Sequence, residues 1–266
     1  MRATLLLIAG AGLIVPAAIG IATPVSAQEV ALEKQIQNPV ASLISLPFQN
    51  NVDTGIGAFD RTRNTLNIQP VVPTSLGNAT LIVRTILPII TLPIGATDSR
   101  SGLGDINMSL FLTPAQPGKV IYAAGLALGL PTATDEVLGT KKLSLGPSFL
   151  VMVQPGAWTI GALVQNTWSV AGDEARADVN LLFSQIFVTR NLSGGWYVNT
   201  APIITANWKA SSGNKWTLPL GLGAGKLTRV GSTPVNFQVG AYRYVVSPDG
   251  GPDWQFRAQF VLLFPK

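Results

Sequence analysis

The sequence predicts an all-β protein, specifically a transmembrane, antiparallel, up-and-down β-barrel of about 12 strands. Three observations carry this reading. Mean hydropathy is +0.36 and only 12% of residues are charged, yet 27 Gly and 19 Pro interrupt the apolar stretches. Apolar residues recur with a period of two, which places them on one face of a strand. Short turns alternate along the chain with longer, more acidic connections.

The stretch Ser144 to Trp168, SLGPSFLVMVQPGAWTIGALVQNTW, runs 25 residues without a charge. About 20 apolar residues suffice for a membrane helix. Its interior argues for strands instead, because Gly146, Pro147, Pro155, Gly156 and Gly161 interrupt it, and Trp158, Thr159, Ile160, Val164 and Thr167 favour extended backbone. Two strands and a turn at Pro155-Gly156 satisfy both facts.

From Trp158 the even positions are Trp158, Ile160, Ala162, Val164, Asn166, Trp168 and Val170, against Thr159, Gly161, Leu163, Gln165, Thr167 and Ser169. One face is therefore apolar with a Trp near each end. At ~3.3 Å per residue and a tilt of ~40°, the separation of Trp158 and Trp168 projects to roughly 25 Å, the height of the apolar band between aromatic girdles. The same alternation runs through Trp216, Leu218, Leu220, Leu222 and Ala224, where Gly221, Gly223 and Gly225 take the inner face, and through Trp254 to Phe264. Trp158, Trp168, Trp216 and Trp254 are the expected girdle. The template places strands near 41–50, 65–73, 79–93, 103–114, 120–130, 143–154, 157–170, 178–190, 196–208, 215–228, 234–246 and 254–265.

The connections follow the barrel rule. TSLGN, AQPGK, PG, NLSGG and RVGST are short, whereas the connections after odd-numbered strands, such as NVDTGIGAFDRTRN, PTATDEVLGTKK and AGDEARA, are generally longer and together carry most of the acidic residues. Short turns on one side and longer loops on the other, with an even strand number, leave both termini on the short-turn side. A soluble β-sandwich also alternates, but its strands average ~5 to 6 residues and lack terminal aromatics.

The N-terminus, MRATLLLIAGAGLIVPAAIG, combines Arg2, an apolar core and small residues up to Ala27. This is the pattern of a secretory signal over 1–27. It leaves a periplasmic N-terminal segment, 28–38, and a barrel over 39–266. The segment QEVALEKQIQN forms a short periplasmic helix or reaches into the lumen.

Several functions are excluded by composition. Cysteine and histidine are both absent, which removes thiol chemistry, Ser-His-Asp catalysis and imidazole metal ligands. No catalytic, cofactor-binding or metal-ligating set is predicted, and the chain is not expected to be an enzyme. A lipid-modifying enzyme would have to work with carboxylates or Ser-Lys alone. Net charge is +5 with scattered basic residues, which argues against nucleic acid as a partner. Gly172 to Asp178, GDEARAD, reads as a solvated loop rather than a calcium or lipopolysaccharide contact, PDGGPDW (Pro248 to Trp254) as a turn, and Gly221, Gly223 and Gly225 as strand glycines rather than a phosphate loop.

A charge in a lipid-facing strand is costly, so polar residues opposite the apolar face should line the lumen. Arg84, Asp105, Asn107, Gln165, Gln238, Tyr242 and Arg257 are the candidate set. They either form a solute path or a polar plug that only stabilises the barrel.

Several stretches resemble a family of bacterial outer-membrane barrels labelled as the meta-pathway-of-phenol-degradation family, as transporters, or misleadingly after neuromedin U. They are NPVASLISLPFQNN (Asn38 to Asn51), RTILPII (Arg84 to Ile90), LPTATDEVLGT (Leu130 to Thr140), LGPSFLVMVQPGAWTIGAL (Leu145 to Leu163), WSVAGDEARADVN (Trp168 to Asn180), PDGGPDW and the closing LFPK (Leu263 to Lys266). The resemblance implies an outer-membrane location and movement of small solutes, with aromatic compounds such as phenols as the family-level expectation. Outer-membrane lipids, lipopolysaccharide, small solutes and the barrel-insertion machinery are then the expected partners. The alternative is a structural or surface-interaction barrel with a closed lumen. One departure is the terminus, where Pro265-Lys266 follow Phe264 although such barrels often end on an aromatic residue.

Overall fold

The computed structural model describes residues 27–265, with side chains from residue 31. The expected signal sequence therefore lies outside the described residues, apart from Ala27. Among the described residues no helix is long and apolar enough to cross a membrane. The one α-helix among the described residues is α1 (Ala27–Ile36).

Strands follow in the order β1 (Ile44–Ile56), β2 (Arg61–Ile68), β3 (Val71–Leu76), β4 (Ala79–Ile94), β5 (Asp98–Leu103), β6 (Ile106–Pro114), β7 (Val120–Leu130) and β8 (Lys142–Val153). The remainder are β9 (Trp158–Gly172), β10 (Asn180–Asn191), β11 (Trp196–Thr200), β12 (Ile203–Asn207), β13 (Trp216–Val230), β14 (Thr233–Val246) and β15 (Trp254–Phe264). All pairings are antiparallel. β1 closes on β15 from Ile44↔Phe264 to Thr54↔Trp254, and β9 pairs with β10 from Trp168↔Asn180 to Trp158↔Arg190.

These 15 segments make 12 staves of a closed barrel, because three staves are each broken once. β2 and β3 share the neighbours β1 and β4, β5 and β6 both pair with β4, and β11 and β12 both lie between β10 and β13. The first and third breaks fall at Gln69-Pro70 and Ala201-Pro202. Proline donates no backbone N–H, so the ladder lapses there.

The alternation sets which side chains meet lipid. Trp158, Ile160, Val164, Trp168 and Val170 are exposed on β9 while Thr159 and Leu163 are buried. Phe149 and Val151 face out on β8, and Ser148, Leu150 and Met152 face in. Trp254 and Phe256 face out on β15, and Gln255, Arg257, Val261 and Leu263 face in. All 6 Trp are at least a third exposed, and all but Trp168, which lies inside β9 opposite the first residue of β10, are at or next to the ends of their strands. Trp196 and Trp208 thus join the four expected girdle positions. Arg190, Lys226 and Arg243 stack over Trp158, Trp196 and Trp254 at 4.9, 4.9 and 5.5 Å. Such pairs combine an apolar body with a cationic edge, as a membrane interface requires.

The strand assignments need two corrections. NVDTGIGAFDRTRN is mostly not a loop, since β1 continues to Ile56 and β2 begins at Arg61, leaving a 3-10 turn at Gly57–Phe59. β1 absorbs the change in direction through a register shift between Asp53 and Ile56. The second correction is β5, which carries its stave out to Asp98 and reduces the preceding connection to a tight turn.

Helix α1 and the chain up to Leu43 sit inside the short-turn end. Leu32, Ala41 and Leu43 pack with Leu227, Val261 and Leu263 on one side. Val40 packs with Ile82, Phe111, Ile121, Leu150 and Phe187 on the other. Polar contacts fix the height of the segment: Lys34 Nζ donates to Gln154 O at 3.4 Å, Gln154 Nε2 to Lys34 O at 2.8 Å, and Thr159 Oγ1 to Gln37 Oε1 at 2.7 Å. The segment is helical as the first alternative has it, but it packs within the barrel end as a plug, as the second has it, rather than standing in the periplasm.

Candidate solute site in the barrel lumen

Above this plug the lumen holds a cavity of about 190 Å³, floored by Gln35 to Leu43 and walled by inward residues of β1, β3, β4, β10, β11, β14 and β15. A continuous polar network on the lumen wall reaches the cavity through Arg257. Asp53 Oδ2 accepts from Arg63 Nε and Nη2 at 3.1 and 2.9 Å, and its Oδ1 accepts from the Tyr244 hydroxyl at 3.0 Å and Gln255 Nε2 at 2.9 Å. Gln255 Oε1 in turn accepts from Arg257 Nη2 at 2.8 Å. Arg257 Nε donates to Asn51 Oδ1 at 3.1 Å and Nη1 to Ala201 O at 3.1 Å, with the guanidinium 4.8 Å from the Tyr242 ring centre.

The strand breaks help build this wall. At Ala201-Pro202 the missing ladder leaves Ala201 O free to accept from Arg257 and from Gln185 Nε2 at 3.3 Å. At Gln69-Pro70, Gln69 is buried and its Oε1 accepts from Arg84 Nη2 at 2.8 Å. Small residues make room opposite. A Cβ on Gly225 would lie 2.3 Å from the Tyr197 ring, so only glycine lets that ring lie against β13. The Tyr197 hydroxyl donates to Gln238 Oε1 at 3.3 Å and accepts from Asn236 Nδ2 at 2.9 Å.

Of the expected lumen residues, Arg84, Gln238 and Arg257 border the cavity itself. Tyr242 is fully buried beneath Arg257, and its hydroxyl has no hydrogen-bond partner. Gln165 lies on the inner face, where its Oε1 accepts from Ser148 Oγ at 3.3 Å and Ser109 Oγ at 3.5 Å. Asn107 is exposed and donates to Asp105 O at 3.2 Å. Asp105 has a different task. Its carboxylate accepts from Thr140 N and Oγ1 at 2.6 and 2.7 Å and from Ala133 N at 3.2 Å, fastening the 131–141 loop.

The alternation of Gln49, Asn51 and Asp53 on β1 carried the signal for the residues that were missed, but a presumed loop obscured it. Tyr197 and Asn199 alternate with Val198 in the same way within β11. Tyr244 and Gln255 stand two places from predicted residues on their strands.

The loop motifs are tied chiefly to neighbouring loops, and Ala175 to Asp178 border an open surface pocket with Gly139 and Thr140 rather than the lumen cavity. Arg176 Nη2 donates to Glu136 O and Gly139 O at 2.9 and 2.8 Å, and Asp178 accepts from Ser169 Oγ at 3.1 Å beside Lys142 at 3.4 Å. The Ser169 hydroxyl, then Lys142, holds the Asp178 carboxyl below its ordinary range. In PDGGPDW, Asp249 accepts from Asn214 Nδ2 at 3.0 Å and Asp253 lies 3.7 Å from Arg243. Among the described residues no three acidic side chains converge as a metal site would require.

No family model and no curated protein matches the chain. Among solved structures, an outer membrane channel from Pseudomonas putida F1 shares 16% identity at a TM-score of 0.62, covering 85% of this chain and 97% of that one. An outer membrane phospholipase dimer from Salmonella typhi gives 13% identity and a TM-score of 0.45 over 89% and 97% of the two chains. A BenF-like porin from Pseudomonas fluorescens Pf-5 gives 9% and 0.26 over 84% and 97%. The last two likenesses are too slight to bear on function. The first identifies the fold as that of an outer-membrane β-barrel.

Proposed function

We propose that the chain is an outer-membrane channel for small solutes, with its short-turn end towards the periplasm and its inward polar side chains as the selective element. The observation that carries this reading is the cavity of about 190 Å³ bordered by Arg84 and Arg257 inside a barrel whose outer face is apolar. A barrel needing only rigidity would gain by burying matched apolar groups there, since unpaired buried charge is costly. Hydrophobic or aromatic cargo, the expectation from family resemblance, fits a cavity that also touches Val71, Phe187, Val261 and Leu263. The girdle cations Arg190, Lys226 and Arg243 would meet lipid or lipopolysaccharide headgroups, and the insertion machinery would act during assembly.

One observation favours the alternative of a closed structural barrel: the N-terminal segment seals the short-turn end. Flux through refolded protein in liposomes separates the two readings. Small ions, a sugar and a phenol are compared under one gradient, with empty liposomes as reference. Flux above that reference is expected; folded protein without flux would overturn the channel reading in favour of the sealed barrel.

A further inference from the structure

The geometry points to an anion site in the lumen cavity, built for a small organic carboxylate that carries an apolar body and a hydroxyl donor. The transport of that anion rests on the channel reading above; its binding does not.

The carboxylate half rests on charge. Arg84 and Arg257 both border the cavity, and among the described residues neither has a carboxylate within ion-pair distance. Asp53, which shares a network with Arg257, is already engaged by Arg63, Tyr244 and Gln255. Arg257 spends its donors on Asn51, Ala201 and Gln255, all neutral acceptors. Among the described residues Arg84 donates to Gln69 alone, although a guanidinium offers five N–H groups. Two guanidiniums held in one enclosed space by neutral acceptors create a positive potential that water only partly offsets. A carboxylate satisfies the unused donors and the charge together, and arginine is suited to it by its fork of N–H groups.

The hydroxyl half rests on orphaned acceptors. Asn199 and Asn236 border the same cavity, both are buried, and among the described residues the Oδ1 of each has no hydrogen-bond partner. These oxygens call for a donor, which a carboxylate cannot supply and a hydroxyl can. The apolar body is asked for by Phe187, Val71 and Leu263, which border the cavity from its other sides. Mixed apolar walls with a few convergent polar groups are the usual make-up of a small-molecule site.

The test uses refolded full-length chain in detergent micelles, titrated by calorimetry with 4-hydroxybenzoate, its neutral amide 4-hydroxybenzamide, and benzoate. Saturable binding of 4-hydroxybenzoate is expected, and loss of the charge in the amide should weaken it about tenfold or more, as a charge-assisted hydrogen bond is worth ~1.5 to 3 kcal/mol. Arg84→Gln should weaken the acid as much and the amide little, with Arg84→Lys between. The lipid-facing Arg190→Gln should change neither. Acid and amide binding alike, or neither binding, would overturn the site; benzoate binding as tightly as 4-hydroxybenzoate would remove the hydroxyl half. Should Arg84→Gln fail to fold, the acid and amide comparison on the unsubstituted chain decides. Liposome flux separates the two readings: binding without flux overturns the channel and keeps the site, while flux without saturable binding of the acid keeps the channel and overturns the site.

Discussion

Replacing Asp53 by Asn tests the lumen wall at its most connected point. Asp53 is 3% exposed in its side chain and accepts four hydrogen bonds, two from Arg63 on one oxygen and one each from Tyr244 and Gln255 on the other. Asparagine keeps the shape but offers one acceptor atom. Its oxygen can serve Tyr244 and Gln255 only by turning an amide N–H₂ towards the guanidinium of Arg63, donor against donor. Two charge-assisted bonds are then lost, each ~1.5 to 3 kcal/mol. Arg63 is 35% exposed and can turn to water, which recovers part of that loss, so the net cost is about 2 to 3 kcal/mol. The substitution also removes the negative charge nearest Arg257. Equilibrium unfolding in lipid vesicles should show the destabilisation, and planar-bilayer reversal potentials should move towards anions. A stability change under about 0.5 kcal/mol would refute the network as a support, since ordinary surface substitutions lie in that range. An unmoved reversal potential in a conducting mutant would take Asp53 and its neighbour Arg257 off the conducting path.

Three further outcomes follow from other parts of the barrel. Gly146→Val should prevent folding, because a Cβ there would lie 1.7 Å from Asn166 O in the neighbouring strand, and the mutant should fail to gain strand circular dichroism on refolding. Val40→Asp places a carboxylate among Ile82, Phe111 and Phe187 and should loosen the plug, raising single-channel conductance without altering the apolar belt; unchanged conductance would show that the plug is not the constriction. Asp178 has its folded-state carboxyl pKa depressed by Ser169 and Lys142, so its anchoring of the 173–179 loop is fully present at neutral pH and lost only as pH falls through that lowered value. Asp178→Ala should abolish this step in an NMR titration of the loop, and persistence of the step would assign it to another group.

The barrel was legible because a membrane imposes one rule on every strand. Lipid admits no unsatisfied backbone and little charge, so period-two patterning survives through β9, β13 and β15 without tertiary context. The site was legible in part for the same reason. Arg257 must turn inward since it lies between Phe256 and Ala258 on a lipid-facing strand. What alternation cannot convey is height and connection. Asp105 has the inward parity of Asn107, yet its position at a strand break puts its carboxylate within reach of Ala133 and Thr140. Asp53 was hidden by Gly55 and Gly57, which resemble a loop but serve the bend at the end of β1. The seating of α1 was equally invisible, because its partners Gln154, Thr159 and Asn191 are distant in sequence and individually ordinary.

The plug and the cavity are physically one arrangement. Residues Gln35 to Leu43 form the floor beneath Arg84 and Arg257, so whatever occupies the cavity also rests on the segment that closes the barrel. That segment is held by apolar contacts on two sides and by a few side-chain hydrogen bonds, with Gln37 contacting both Thr159 and Asn191. A ligand can shift such a closure only by binding one position of the segment better than the other. An anion that needs the floor in place would favour the closed barrel and slow its own passage at high concentration. One that gains access to the guanidiniums only when the floor withdraws would favour opening. The sign of that coupling is therefore set by whether Gln35 to Leu43 touch the bound anion, and the Val40→Asp protein gives the answer: tighter 4-hydroxybenzoate binding than in the unsubstituted chain means the floor competes with the ligand, and weaker binding means it contributes to the site.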